Sequence, residues 1–238
     1  MIKNRRDAYS PYGHSLWHRE ACIGRKVRGK EDEPELYKKG FIIDRIRYIF
    51  NASTLRMILS SKRLILREFI QEDWQAVFDY QADARYLEFY EWETRTETEV
   101  QSFVQMFLKQ QQQVPRTKFQ LAIVLKSEGK FIGNCGIRKI KPELSEASLG
   151  YEIAPDYWGK GYATEAARTM IKFGFEELKL NRIYGWCIAE NLASARVMEK
   201  VGMQFEERFL ENEWFKGRWW DTLIFAISRD DWKKLCIG

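Results

Sequence analysis

The 238-residue sequence predicts a mixed α/β domain, one sheet with helices on its faces. Alternating segments such as KRLILRE (62–68) read as strands. Longer segments carry apolar residues at helical spacing, as in Val100, Phe103, Phe107 and Leu108. Short turn signals such as Ser127-Glu128-Gly129 separate them.

Taken in order, residues 62–68 form the first strand of the domain. Trp74, Val77 and Phe78 give helical spacing over 71–81. Thr96 followed by Glu99 is a capping box that starts the next helix. Segments 119–125 and 130–137 make a hairpin, and 147–154 is a fourth strand. Residues 164–178 are helical, with Ala167, Met170, Ile171, Phe175 and Leu178 on one side. A strand over 182–188 precedes a short helix that Asn191 caps and Gly202 ends. Segments 203–214 and 218–228 close the domain as a hairpin about Lys216-Gly217. The predicted order is β-α-α-β-β-β-α-β-α-β-β.

Charge divides the chain. Of 39 Lys/Arg and 34 Asp/Glu, residues 1–56 hold 13 and 7, which leaves 26 and 27 for residues 57–238. The basic excess therefore belongs to a segment of poor periodicity, read as a flexible N-terminal extension that carries little of the function. Its one apolar patch, FIIDRIRYIF (41–50), could form a short amphipathic helix docking on the domain or a lipid surface, but a mobile tail is the preferred reading. The main domain is expected at 57–238. The tail's basic charge with Trp17, Tyr37 and Tyr48 leaves an RNA-docking role open for that segment alone.

Residue usage excludes several chemistries. The two histidines, His14 and His18, precede the main domain, so neither a Ser-His-Asp triad nor an HExxH zinc site can be assembled inside it. Cys22, Cys135, Cys187 and Cys236 are scattered, without a CxxC pair. That pattern argues against a disulfide framework or a cysteine zinc site, and no metal is expected. No apolar run reaches the roughly 18 residues of a membrane span, and no apolar h-region follows Lys3, Arg5 and Arg6. A cytoplasmic protein without membrane contact is the expectation.

The chemistry is expected in Ile153-Ala154-Pro155-Asp156-Tyr157-Trp158-Gly159-Lys160-Gly161-Tyr162-Ala163-Thr164, which joins a strand to a helix. Gly159 and Gly161 let the backbone turn sharply, and the amides that follow lie at a helix N-terminus, where an anion is favoured. A simple turn would explain a lone GxG equally well. The GxxxxGK[ST] phosphate loop is absent, and Thr164 stands where the dinucleotide fingerprint needs a third glycine.

WGKGYATEA (158–166) and AENLASARVMEKVGM (189–203) occur in order, with one helix and one strand between them. Together they resemble the core of the GNAT superfamily of N-acetyltransferases, and more closely its ribosomal-protein-alanine N-acetyltransferase branch. The likeness covers residues 59–232. It implies the GNAT acyl-CoA fold, in which the strand before the loop carries a bulge and splays from residues 182–188 to admit pantetheine. Backbone groups of Ile153 and Ala154 would pair with pantetheine, and one such amide could polarise the thioester carbonyl. Gly159, Lys160, Gly161, Tyr162, Ala163 and Thr164 would cradle the pyrophosphate, with Trp158 where the superfamily has Gln or Arg. Asn191 would reach toward CoA, although a plain N-cap role is equally open.

The tyrosine that many members use as general acid is Met198 here. The resemblance therefore passes that role to Ser194, and the role of base to Glu213 with Glu152 as its rival. It implies acetyl-CoA as cosubstrate, no metal, and a primary amine as acceptor. Within the branch that acceptor is a protein N-terminal α-amine, with a polyamine or antibiotic amine as the small-molecule alternative and a non-catalytic acyl-CoA sensor as another. Acceptor specificity is expected in 82–98 and 214–220. A homodimer is compatible with this reading.

Overall fold

In a computed structural model, residues 46–51 and 54–237 are described, with side chains from Met57 to Cys236. Nine strands form one sheet in the order β1-β2-β3-β4-β5-β6-β7-β9-β8. They are β1 (Ile46–Asn51), β2 (Thr54–Ser60), β3 (Leu64–Glu68), β4 (Lys118–Leu125), β5 (Phe131–Arg138), β6 (Glu146–Ile153), β7 (Arg182–Ile188), β8 (Gln204–Phe215) and β9 (Arg218–Ser228). Every pairing is antiparallel except β6 with β7. The helices are α1 (Asp73–Gln81), α2 (Ala84–Leu87), α3 (Glu97–Gln111), α4 (Tyr162–Glu176), α5 (Leu192–Lys200) and α6 (Arg229–Ile237).

Side-chain alternation loads both faces of the sheet. On one, Leu66, Ile123, Ile137, Leu149 and Ile183 meet Met170 and Ile171 of α4 and Met198 of α5. On the other, Phe69 and Ala122 meet Val77, Val100 and Phe107 from α1 and α3. Strand β4 is covered on both sides, which accounts for its unbroken apolar run. At Gly174 helix α4 comes so close that an added Cβ would lie 2.8 Å from the Cδ1 atoms of Ile137 and Ile183.

Local signals set the boundaries. The capping box at Thr96 is present, with Thr96 and Glu99 exchanging hydrogen bonds. Helix α1 begins two residues later than expected, at Asp73, whose buried carboxylate takes two hydrogen bonds from Arg67 (2.7 Å each) and one from the Ile70 amide. Lys216 and Gly217 both have positive φ, 50° and 72°, as a two-residue hairpin turn with the twist of its strands requires.

The N-terminal expectation is revised where it can be seen. Residues 46–50 are not helical but belong to β1, which pairs with β2 from Ile46↔Leu59 to Asn51↔Thr54. Strand β2 starts at Thr54, so the sheet crosses the boundary expected at 56/57. Trp17, Tyr37 and the rest of residues 1–45 lie outside the described residues. The bulge implied for the strand before the loop is also absent, because β5 and β6 pair without interruption from Gly133↔Ile153 to Arg138↔Ser148. The β4–β5 ladder, by contrast, shifts register between Ile123 and Val124.

Phe107 is fully buried and its ring meets Phe69 (4.8 Å) and Phe103 (4.5 Å). Phe107→Ala should destabilise the protein by about 3–5 kcal/mol. Thr96→Ala, which removes only the cap, should cost about 1 kcal/mol. Urea unfolding of both variants measures the difference.

Candidate functional site

The site begins where β6 and β7 part. Their parallel pairing covers Glu146↔Arg182, Ala147↔Ile183 and Ser148↔Tyr184 and then stops. Beyond it β6 stays bound to β5, and β7 to β9 as far as Ile188↔Thr222. A cavity of about 170 Å³ opens at the gap, reached by side chains from both faces of the sheet.

Strand alternation fixes which backbone groups face that gap. The Ala154 amide donates to Ile132 O (2.8 Å) on the β5 side, and its carbonyl accepts from the Tyr157 amide (2.9 Å). The Ala154 amide is therefore committed within the protein, and its carbonyl has one of two lone pairs taken, so it offers a ligand less than expected. The preceding residue faces the other way, so Ile153, Tyr151 and Leu149 turn their backbone groups toward the gap. Leu149 O accordingly lies 3.5 Å from where a Cβ on Gly185 of β7 would stand. The Ile153 carbonyl accepts from the Trp158 indole N–H (2.6 Å), a use for the residue that departs from the family pattern.

A single 3-10 turn (Pro155–Tyr157) then leads to Gly159 and Gly161, with φ of 73° and 78°. Gly161 is the N-cap of α4 and, lacking a side chain, caps nothing. The first bond closing the helix runs from Glu165 N to Gly161 O (3.1 Å). Among the described residues none accepts a hydrogen bond from the amides of Gly159, Lys160, Gly161, Tyr162, Ala163 or Thr164. Six amide donors at a helix N-terminus with no acceptor among the described residues suit an anion with several oxygens. The Lys160 ammonium folds back on the Asp156 carbonyl (2.9 Å), above the Tyr157 ring.

Arg63, which sequence reasoning did not single out, fastens this loop. Its Nε donates to Glu165 Oε2 (2.7 Å), its amide to Glu165 Oε1 (2.7 Å) and its Nη1 to Lys160 O (2.9 Å), while its guanidinium covers the Tyr162 ring. Burial raises the Glu165 carboxyl, but hydrogen bonds from Arg63 and Ser61 outweigh it and hold the group below the usual carboxylate range. The clasp is thus complete at neutral pH and is lost only as pH falls through that lowered value.

On the α4 and α5 side of the gap, the Asn191 side chain accepts from the Ser194 amide (3.0 Å), so it is the N-cap of α5 and also lines the cavity. Ser194 Oγ lies 3.0 Å from the hydroxyl of Tyr151, which also donates to Ser194 O (2.9 Å). Burial pushes the Cys187 thiol, in the same wall, up to about 12 despite a hydrogen bond with Ser194. Tyr151 escaped sequence reasoning because only the sheet brings it to α5, 43 residues away.

On the opposite side lie the two carboxylates named from the sequence. Glu213 is 4% exposed on β8, just beyond a register shift between Phe209 and Glu213 in which Glu211 takes φ 48°. Such a bulge re-aims the side chain that follows it. Glu152 on β6 accepts from Tyr80 Oη (2.7 Å), Asn134 Nδ2 (2.8 Å) and Gln81 Nε2 (3.2 Å). Of the segments expected to select the acceptor, Phe89, Tyr90, Trp92 and Phe215 line the cavity, with Tyr90 and Trp92 stacked at 4.8 Å. Trp214 and Trp219 instead face outward, each about half exposed.

Compared with known proteins, residues 63–204, more than half the chain, match the family model described as an acetyltransferase (GNAT) domain. The chain belongs to the GNAT acetyltransferases. The Bacillus subtilis protein named "Uncharacterized N-acetyltransferase YnaD" is 34% identical over 176 residues, 74% of this chain and 99% of that protein. A GNAT-family acetyltransferase structure from Bacillus anthracis is 32% identical with a TM-score of 0.65, covering 73% of this chain and 99% of that one. The ribosomal-protein-S5-alanine acetyltransferase structure from Vibrio fischeri shares the fold at 22% identity, with a TM-score of 0.64 over 74% of this chain and 98% of its own. The protein is accordingly a GNAT-type, acetyl-CoA-dependent acetyltransferase acting on an amine. Among the described residues no helix is long and apolar enough to cross a membrane.

Gly161→Val puts a β-branched side chain at φ 78° in the middle of the unpartnered amides. It should abolish measurable CoA binding in calorimetry. An unchanged affinity would remove the loop from the binding site.

Proposed function

We propose that the enzyme moves acetyl from acetyl-CoA to a protein N-terminal α-amine, as on a ribosomal protein, by direct attack within a ternary complex. The observation that carries the CoA half of this reading is the run of six amides, from Gly159 to Thr164, that have no acceptor among the described residues and lead to the gap between β6 and β7. These amides would hold the diphosphate, with Asn191 beside the cosubstrate. The gap-facing backbone of Ile153 would pair with pantetheine and polarise the thioester carbonyl. The protein-terminus acceptor is supported by the likeness of the two motifs to the ribosomal-protein branch.

Residues on the two sides of the gap would divide the proton traffic. Ser194, held by Tyr151, would donate toward the departing sulfur, and Glu213 would take the proton from the attacking amine. An ammonium has no lone pair, so the amine must be neutral when it attacks. Burial keeps the Cys187 thiol protonated at neutral pH, which favours direct transfer over an acetyl-cysteine intermediate. Cys135, Cys187 and Cys236 are unbridged, in keeping with a cytoplasmic setting.

Ser194→Ala should lower turnover roughly 10- to 100-fold while changing CoA affinity little, and Glu213→Gln should lower it by a similar or larger factor. Cys187→Ala should keep turnover within a few-fold, and intact mass after exposure to acetyl-CoA should show no covalent acetyl group. Thiol release measured over peptide and small-amine panels checks all three. Binding of acetyl-CoA without thiol release on any amine would make the domain a sensor instead.

A further inference from the structure

Residues of β6 point alternately to the two sides of the sheet, and this sorts the cavity into two half-sites. Leu149, Tyr151 and Ile153 belong to the α4 side, where Tyr151 meets Ser194. Gly150 and Glu152 belong to the α1–α3 side, where Glu152 meets Tyr80 and Gln81 of α1. All three donors to Glu152 converge on Oε2, and Asn134, one of them, also donates to Tyr80 Oη (2.9 Å) and accepts from Gln120. No described residue donates to Oε1 of this cavity-lining carboxylate. An oriented anion in a wall that includes stacked Tyr90 and Trp92 suits an ammonium.

Beside it the same half-site holds a cation. Arg138 ends β5 and lines the cavity. Its guanidinium occupies the space above Gly150, where an added Cβ would come 2.1 Å from Nη2. Gly150 lies two residues past Ser148, the last residue of β6 that pairs with β7. The arginine head therefore sits where the gap opens, about 7 Å along the strand from Glu152. Desolvation lowers Arg138 to about 10, which leaves it a cation at neutral pH. A ligand bearing only positive charges would set one of them against this guanidinium. A ligand with an amine and a neighbouring carbonyl or carboxylate sets a group of complementary charge or polarity against each.

We propose that Arg138 is the acceptor-specificity residue: its guanidinium binds the carbonyl or carboxylate oxygen next to the reacting amine, whose nitrogen Glu152 receives. This rests on the amine-acetylating reading above and assigns the residues that would select an α-amino acyl group over other amines. Aliphatic amines and polyamines lack the oxygen that Arg138 takes.

The test compares wild-type kcat/KM for alanine, alaninamide, an alanine-initiated peptide, isopropylamine and spermidine, with CoA affinity measured alongside. Carbonyl-bearing amines should lead isopropylamine by roughly 10- to 100-fold, the range set by one charge-assisted hydrogen bond. Free alanine against the peptide separates a small-molecule acceptor from a chain terminus, and either result fits the shared chemistry. Arg138→Met should erase the preference by lowering only the carbonyl-bearing acceptors. Gly150→Ala, which displaces the guanidinium but keeps the arginine, should do the same. Rates are compared per neutral amine, because a neighbouring carbonyl lowers the amine's own pKa; if either variant fails to fold, that corrected wild-type preference still decides. Spermidine or isopropylamine as the best acceptor would overturn the proposal, as would equal loss on every amine in Arg138→Met. If no amine releases CoA although CoA binds, the acetyl-transfer reading falls and takes this inference with it.

Discussion

Two neighbouring strands that stop pairing in the middle of a sheet are the constraint behind everything else in this molecule. Each backbone group left without a partner in the interior costs on the order of 1–3 kcal/mol unless something else satisfies it. The sheet sustains the gap because β6 and β7 are each secured on their outer side, by β5 and by β9. The opening also joins the two faces of the sheet, which a closed ladder would keep apart. Side chains rooted in the α4 and α5 layer and side chains rooted in the α1–α3 layer thereby come to line one cavity.

The glycine loop before α4, proposed above to hold the diphosphate, depends on a contact far away in sequence. Helix α4 starts at Gly161 because a residue with φ 78° ends the turn and releases the first amides outward. Glycine geometry alone would leave such a loop loose. Glu165, in the first turn of α4, draws in Ser61 and Arg63 from the edge of β3, and Arg63 also holds the Lys160 carbonyl. The direction in which the amides point is therefore tied to the sheet itself. Preorganisation of this kind lowers the ordering cost when a flexible, multiply charged ligand is bound.

Much of this was legible in the sequence, and the failures have physical reasons. Strands β3 to β9 and helices α1 and α3 to α5 announced themselves through periodicity, and Thr96, Asn191 and Lys216-Gly217 marked boundaries by local hydrogen bonding or backbone sign. Strand β1 did not, because IRYIFN alternates charge and bulk in a way that suits an amphipathic helix as well. Only pairing with β2 decides it. Helix α6 was passed over although Ser228 and Asp231 form its cap, because so short a segment carries a weak pattern and its Trp232 needs Phe175 to pack on. The loop was readable as a motif, but the satisfaction of Ala154 by Ile132 and Tyr157 was not. Arg138 carries no sequence signal of its own, because only the missing Cβ of Gly150 on the next strand gives its head a place.

The ionisations inside the cavity show why an enzyme without a histidine in this domain can still manage protons. Burial, and then the charge of Glu152, raise Tyr80, so its hydroxyl remains a donor to that carboxylate throughout the neutral range. Burial likewise raises Tyr86, Tyr90 and Tyr151. It pushes Cys187 to about 12 and leaves Arg138 at about 10. From neutrality up to about pH 9 these groups therefore keep a constant protonation state, and the hydrogen bonds that orient Glu152 and Ser194 stay fixed. On the proposed reading the groups whose charge changes are the acceptor's own amine and Glu213, which takes its proton. Fixed donors on both walls with one mobile proton between them suit attack by a neutral amine, without any covalent relay through the protein.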